Sequence, residues 1–109
     1  AGAGWDPTRS LLLHLDVRHP DAWETAVAAA QQQFGALHVL INNAGVIVPE
    51  FAAELSVAAI DQQIDVNLKG VLHGSRLAAR LMREQGHGHL INIASLAGVA
   101  PVHGLPVYS

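Results

Sequence analysis

The sequence predicts an α/β fold built on a parallel sheet. Three short apolar runs, residues 11–15, 38–41 and 89–93, alternate with two segments of helical periodicity, residues 20–34 and 56–85. Strands that are buried on both faces of a parallel sheet read as nearly continuous apolar runs. Strand, helix, strand, long helix, strand is the alternation typical of α/β proteins.

The first helix has clear boundaries in the sequence. Residues 1–10 are rich in glycine and contain Pro7, so they predict a loop. Pro20 suits the first turn of a helix, Asp21 complements its positive end, and Gly35 is placed to stop it. One face packed on the sheet is indicated by four residues that recur at helical intervals: Trp23, Val27, Ala30 and Phe34.

The long helix is expected to begin after Ser56, a good N-cap, and to end near Gln85, before Gly86. Asn67 falls on its predicted inward face, and leaving a buried amide without partners costs about 1–3 kcal/mol. A helix kink satisfied by an internal water or a neighbouring carbonyl would account for it without any catalytic role. The predicted inward stripe is Ile60, Ile64, Asn67, Val71, Ala78 and Met82.

A second apolar flank of the long helix predicts a partner helix. Apolar or small residues cover more of the helix than one sheet contact can bury, and the glycines among them would allow close approach. We therefore expect a homodimer or homotetramer. The flank consists of Val66, Gly70, Gly74, Leu77 and Leu81.

Composition excludes several classes of function. Only 14% of the 109 residues are charged, against about 25% in average soluble domains, so most of the chain should be covered. The net charge of −3 argues against nucleic acid binding. No apolar run approaches the roughly 20 residues that span a bilayer. The chain has no cysteine, which fits a cytoplasmic protein, and its seven histidines form no helical i, i+4 pair, so we expect no metal site.

Polar motifs follow each predicted strand. Asp16 and Val17 follow the first, Asn-Asn-Ala-Gly at residues 42–45 follows the second, and Ser95 follows the third, with Tyr108 thirteen positions later. Open parallel sheets bind ligands outside the carboxyl ends of their strands, and a hydroxyl beside a phenol suggests carbonyl chemistry. Taken singly, the serine and the aspartate could be caps or turn formers, and the tyrosine a half-buried aromatic.

Together these motifs resemble, in order and spacing, the short-chain dehydrogenase/reductase family over essentially the whole chain. The resemblance implies a partial Rossmann-like doubly wound parallel sheet, with the third to fifth strands and their helices in a single incomplete NAD(P)-binding domain at residues 1–109. The family's glycine-rich turn is not seen, because Trp5 and Pro7 rather than a helix follow Gly4. The family's lysine would lie four residues after Tyr108. We therefore expect an internal portion of a longer protein.

The resemblance also implies a reaction and its residues. The family interconverts secondary alcohols and ketones by hydride transfer with NAD or NADP. Ser95 would donate a hydrogen bond to the substrate oxygen, Tyr108 would exchange a proton with it, and Asn67 would hold a water in a proton relay. The residues that choose between NAD and NADP, and the substrate loop, lie outside these 109 residues. The implied cofactor-binding residues are Asp16, Val17, Asn43, Ala44 and Gly45.

Two alternatives stay open, and two expectations concern the isolated chain. A non-catalytic NAD(P)-binding sensor could use the same fold, and an extended-family sugar-nucleotide epimerase or dehydratase shares the tyrosine. The 109-residue chain should by itself be inactive and bind no nicotinamide cofactor. In the family's strand order, two strands would separate residues 11–15 from residues 38–41 by about 14 Å. We expect residues 11–15 to shift onto residues 38–41 or to be disordered.

Overall fold

The computed structural model describes residues 4–109. Both predicted helical regions and two of the three predicted strands are present, with ends within about one residue of those expected. Short 3₁₀ turns occur at Ala52–Glu54 and Leu96–Gly98. The main elements are α1 (Pro20–Phe34), β1 (Val39–Asn42), α2 (Val57–Ile64), a π-helical segment (Asp65–Gly70), α3 (Val71–Gln85) and β2 (His89–Asn92).

The two strands form a parallel pair that confirms the predicted α/β fold. Their register runs from Val39 opposite His89 to Asn42 opposite Asn92, so both carboxyl ends lie at one edge. Helix α3 packs on both strands and against α1. Within residues 4–109, no helix combines the length and the apolar character needed to cross a membrane.

The strand expected at residues 11–15 is not formed. Leu12 is 71% exposed, and β1 pairs only with β2 among the residues described, so the expected shift onto residues 38–41 was wrong. Side-chain bonds hold both ends of the segment to α1: Gln33 Nε2 donates to the Ser10 carbonyl at 3.4 Å, and Trp23 Nε1 donates to the Val17 carbonyl at 3.0 Å. Within residues 4–109, no strand lies beside the segment to pair with its backbone, so sequence hydrophobicity alone does not make it a strand.

The long helix contains a π turn that changes which residues are buried. Ser56 caps it as predicted, with Oγ accepting from Ala59 N at 3.1 Å, and Gly86 ends it with φ +82°. Ile60 and Ile64 are exposed, contrary to the predicted stripe. A π turn closes i→i+5 bonds and so contains one extra residue, which moves the inward face of α2 by one position. The buried residues are Ala59, Gln63, Gly70, Gly74, Ala78 and Met82.

The two glycines predicted to face a partner helix instead lie inside this chain. A Cβ at Gly70 would lie 2.8 Å from Val17 Cγ2. A Cβ at Gly74 would lie 2.5 Å from Asn42 Oδ1 and 2.6 Å from Trp23 Cη2. These glycines therefore allow α1 and β1 to approach the long helix closely. The prediction that Gly70 and Gly74 face a partner helix was wrong.

Candidate active site at the carboxyl ends of the strands

A cleft of about 280 Å³ lies at the edge where both strands end. It contains all three residues predicted to be catalytic and three of the five predicted to bind a cofactor. Chain segments far apart in sequence meet here because the parallel register brings the residues after Asn42 and after Asn92 side by side. The lining includes Asn43, Ala44, Gly45, Asn67, Ser95 and Tyr108.

Asn67 joins the long helix to the loop that follows β1. Its Nδ2 donates to the Val46 carbonyl at 2.7 Å, and its Oδ1 accepts from Val46 N at 2.8 Å. It lies in the π segment and is half-buried, and the neighbouring Val46 carbonyl satisfies its amide without any catalytic role. Its catalytic role stays a prediction.

Gln63 is a buried amide on the same helix that sequence reasoning missed. It is 1% exposed, its Nε2 donates to the Ala59 carbonyl at 3.1 Å, and its Oε1 accepts from Val48 N at 3.4 Å. A uniform α-helix would place Gln63 off the inward face, which explains the omission. The signal available in the sequence was its spacing of four residues from Asn67.

Ser95 is both a cap and a potential hydrogen-bond donor. It precedes the 3₁₀ turn, and its Oγ accepts from Ala97 N at 3.1 Å. That bond uses an oxygen lone pair and leaves the hydroxyl proton free for a ligand. The turn-forming alternative is therefore correct for the backbone and compatible with a role in the cleft.

Tyr108 reaches the cleft from the end of the chain and is half-buried. Two bonds fold the preceding segment into a compact turn: Ser109 N donates to the Leu105 carbonyl at 3.0 Å, and Ser109 Oγ accepts from Val102 N at 3.0 Å. The turn fixes the position of the Tyr108 backbone. The structure thus brings Tyr108 and Ser95 to one cleft, as their spacing predicted.

Asp16 and Val17 do not line this cleft. Val17 lines an adjoining apolar cleft of about 190 Å³, which shares Asn43 and Ala44 with the first. The Asp16 carboxylate instead binds Arg18, whose Nη2 lies 2.6 Å from Oδ2. Hydrogen bonds from the Arg18 side chain and backbone hold the pKa of Asp16 well below its usual range.

A polar cluster behind the cleft was also missed. Asn42, the first residue of the Asn-Asn-Ala-Gly motif, is 6% exposed. Its Nδ2 donates to Asn92 Oδ1 at 2.9 Å and to Ser75 Oγ at 3.1 Å. This side chain therefore ties β1, β2 and α3 together just before the residues that line the cleft. The motif contributes a structural residue as well as lining residues.

The sequence profile of the short chain dehydrogenase family matches residues 5–109. The chain belongs to the short-chain dehydrogenase family. Among curated members, it is 42% identical over 88 residues to a 3-alpha-(or 20-beta)-hydroxysteroid dehydrogenase of Mycobacterium tuberculosis, covering 81% of this chain and 34% of that protein. It is also 42% identical to an uncharacterised oxidoreductase of Staphylococcus saprophyticus, covering 85% and 38%. The chain thus spans little more than a third of these relatives.

Solved short-chain dehydrogenases share the fold. A closed form of serine dehydrogenase complexed with NADP+ matches with a TM-score of 0.80 and 39% identity, covering 86% of this chain and 38% of that one. A short-chain dehydrogenase/reductase from Burkholderia phymatum in complex with NAD matches with a TM-score of 0.85 and 34% identity, covering 88% and 34%. These likenesses confirm the Rossmann-like α/β class.

Proposed function

We propose that the full-length protein containing this chain is an NAD(P)-dependent oxidoreductase that interconverts a secondary alcohol and a ketone. The observation that supports it most is the cleft in which Ser95, Tyr108 and Asn67 meet at the carboxyl ends of parallel strands. Residues 1–109 would then form part of a single NAD(P)-binding domain. Family members of known structure complexed with NADP+ and NAD support the cofactor class.

The residues of the two adjoining clefts fit part of a nicotinamide dinucleotide. Ala44 and Gly45 are small, so a ligand can approach the backbone closely. Asn43 and Ala44 line both clefts, so one extended ligand could contact both. In residues 4–109, no glycine-rich turn leads into a helix, so contacts to the phosphates would come from other residues of the full-length protein.

The chain's own groups account for the proton chemistry. The chemistry that a bound nicotinamide would supply is hydride transfer to or from the carbon that carries the substrate oxygen. The Ser95 hydroxyl donates a hydrogen bond to the substrate oxygen and orients it. Tyr108 takes the hydroxyl proton as the ketone forms and returns it in the reverse direction. Exchange at a phenol requires a nearby cation, the role of the family's lysine after Tyr108.

Assembly and location are two further parts of this proposal. We predict a homodimer or homotetramer, with a different surface from the flank considered in the sequence. The outer side of the long helix exposes apolar residues at intervals of four, and burying them would favour a partner: Ile60, Ile64, Leu68 and Leu72, which are 36–57% exposed. A cytoplasmic location also stays a prediction.

The proposal is tested with the full-length protein, NAD and NADP, and a series of secondary alcohols and ketones. We expect turnover with one cofactor, and we expect Tyr108→Phe to abolish it while calorimetry shows an unchanged dissociation constant for the cofactor. The phenol exchanges the proton, whereas the nucleotide is held mostly elsewhere. Near-normal turnover by the variant would contradict the role of Tyr108. Cofactor binding without turnover would favour the non-catalytic NAD(P)-binding sensor. Conversion of a sugar nucleotide would favour the epimerase or dehydratase.

A further inference from the structure

We infer that Gln63 is a positioning residue for the proposed reaction, acting through the loop at residues 46–48 to orient Asn67 in the cleft. This inference rests on the proposed function. Gln63 does not line the cleft, and its contribution comes from fixing the backbone that Asn67 binds.

The burial of Gln63 makes its hydrogen bonds necessary. It is the largest fully buried side chain among the residues described. Water cannot replace a lost partner at a site that is 1% exposed, so each polar atom must be satisfied by the protein. Its two partners are the Ala59 carbonyl, in its own helix, and Val48 N, in the loop. The second bond fixes the loop relative to α2.

Gln63 and Asn67 bind alternate residues of the same loop. They are four positions apart and lie on one side of the long helix, while Val46 and Val48 are two positions apart and present their backbone to that side. The bonds of Asn67 to Val46 are short, at 2.7 and 2.8 Å, and the bond of Gln63 to Val48 is longer, at 3.4 Å. Gln63 therefore limits how far the loop can rotate about the Asn67 anchor.

The loop is continuous with the wall of the cleft. Gly45 directly precedes Val46, and a Cβ at Gly45 would lie 3.5 Å from Asn67 Oδ1. The Asn67 amide therefore bonds to the loop at Val46 and also lies close to Gly45, which lines the cleft. Rotation of Val46 would move this amide relative to Ser95 and Tyr108, and a displacement of about 1 Å near reacting groups can cost a large factor in rate.

The test uses Gln63→Met, which keeps an unbranched side chain but removes both hydrogen bonds, in the full-length protein. Gln62→Met is the matched control, because Gln62 is the exposed neighbour on the same helix. We expect kcat to fall about tenfold in the Gln63 variant and to stay within twofold in the control. The cofactor dissociation constant should be unchanged in both. Hydrogen exchange at Val46 N, which Gln63 does not touch, should become faster only in the Gln63 variant.

A second variant covers the case in which Gln63→Met does not fold. In Gln63→Glu, a neutral carboxyl group can still donate to the Ala59 carbonyl and accept from Val48 N, and burial favours this neutral form by raising the pKa of the new group. At acidic pH, kcat of the Gln63→Glu variant should therefore be close to that of the unchanged protein. It should fall as pH rises, because the ionised group has no donor and faces the Ala59 carbonyl.

The possible results separate the two proposals. Equal kcat in the Gln63→Met and Gln62→Met variants would overturn the positioning role, even if the Gln63 variant were less stable. Unchanged exchange at Val46 N would overturn it as well. An unmodified protein with no nicotinamide-dependent activity would contradict the proposed function. The hydrogen-exchange measurement would still decide whether Gln63 stabilises the hydrogen bond at Val46 N.

Discussion

The two ends of β1 are each held by one side-chain amide, and the cleft with the predicted catalytic residues lies at the carboxyl end. Before the strand, Gln85 Oε1 accepts from Leu37 N at 3.1 Å and its Nε2 donates to the Leu37 carbonyl at 2.9 Å. After the strand, Asn67 makes the same two bonds with Val46. Both amides replace the pairing that an adjacent strand would provide.

The surroundings of the two amides differ. At the amino end, the rings of His38 and His87 stack with centroids 5.3 Å apart, and both residues are exposed. At the carboxyl end, the amide shares a cleft with Ser95 and Tyr108. The same hydrogen-bond pattern therefore shows only that an amide anchors the backbone. Whether the amide can also take part in a reaction depends on the reactive groups near it.

The largest difference between the ends should come from Ser95→Ala. We expect kcat of the full-length protein to fall about 100-fold, because a donor to the reacting oxygen is lost. At the other end, His87→Ala removes an exposed stacked ring and should leave kcat within twofold. Steady-state kinetics of both variants measure the contrast. Ser95→Thr keeps the hydroxyl and the cap, so a loss as large as that of alanine would argue against hydrogen bonding as the cause.

A smaller difference is expected between the amides themselves. Asn67→Leu removes two bonds to the backbone, and Gln85→Met removes three, one of them to the His87 carbonyl. Each variant should therefore lower the free energy of unfolding by about 1–3 kcal/mol. Only the Asn67 variant should also lose turnover, by about tenfold. Urea unfolding and kinetics at a temperature where both variants are folded separate the effects. Equal losses of turnover would show that both amides act through stability alone.

The smallest effect is expected beside the apolar cleft, at Asp16 and Arg18. Because folding lowers the pKa of Asp16, the pair stabilises the protein above the unfolded pKa of about 3.9, and this contribution is lost as pH falls towards the folded value. Arg18→Met should therefore lower Tm slightly at pH 7. The difference from the unchanged protein should shrink below about pH 4 and with added salt, since the pair is solvent-exposed. A constant difference across pH would contradict this account.

Local signals in the sequence were sufficient for the ends of the helices and for placing Ser95 and Tyr108 at one cleft. Pro20, Ser56 and Gly86 mark helix ends through backbone geometry that depends on few neighbours. Ser95 and Tyr108 meet because the parallel register, implied by the strand and helix alternation, brings their segments together.

The parts that failed depend on longer-range structure. Residues 11–15 have strand character, but a strand requires a partner, and none pairs with them among the residues described. Gln63 was missed because one extra residue in the π segment changes the face of α2, and no propensity marks that position. Gly74 was assigned to a partner subunit because the sequence does not show which helix or side chain fills the space beside a glycine.

The π segment makes the length of this helix as important as its composition. Deleting one residue between Asp65 and Gly70 would allow a uniform α-helix in which α2 and α3 keep their present faces, whereas winding the same number of residues as a uniform α-helix would rotate α2 by about 100° relative to α3. In a uniform helix of unchanged length, Ile60 and Ile64 would turn inward, while Gln63 would leave the loop. An alignment that places a one-residue gap here therefore compares helices that present the same faces on both sides of the gap.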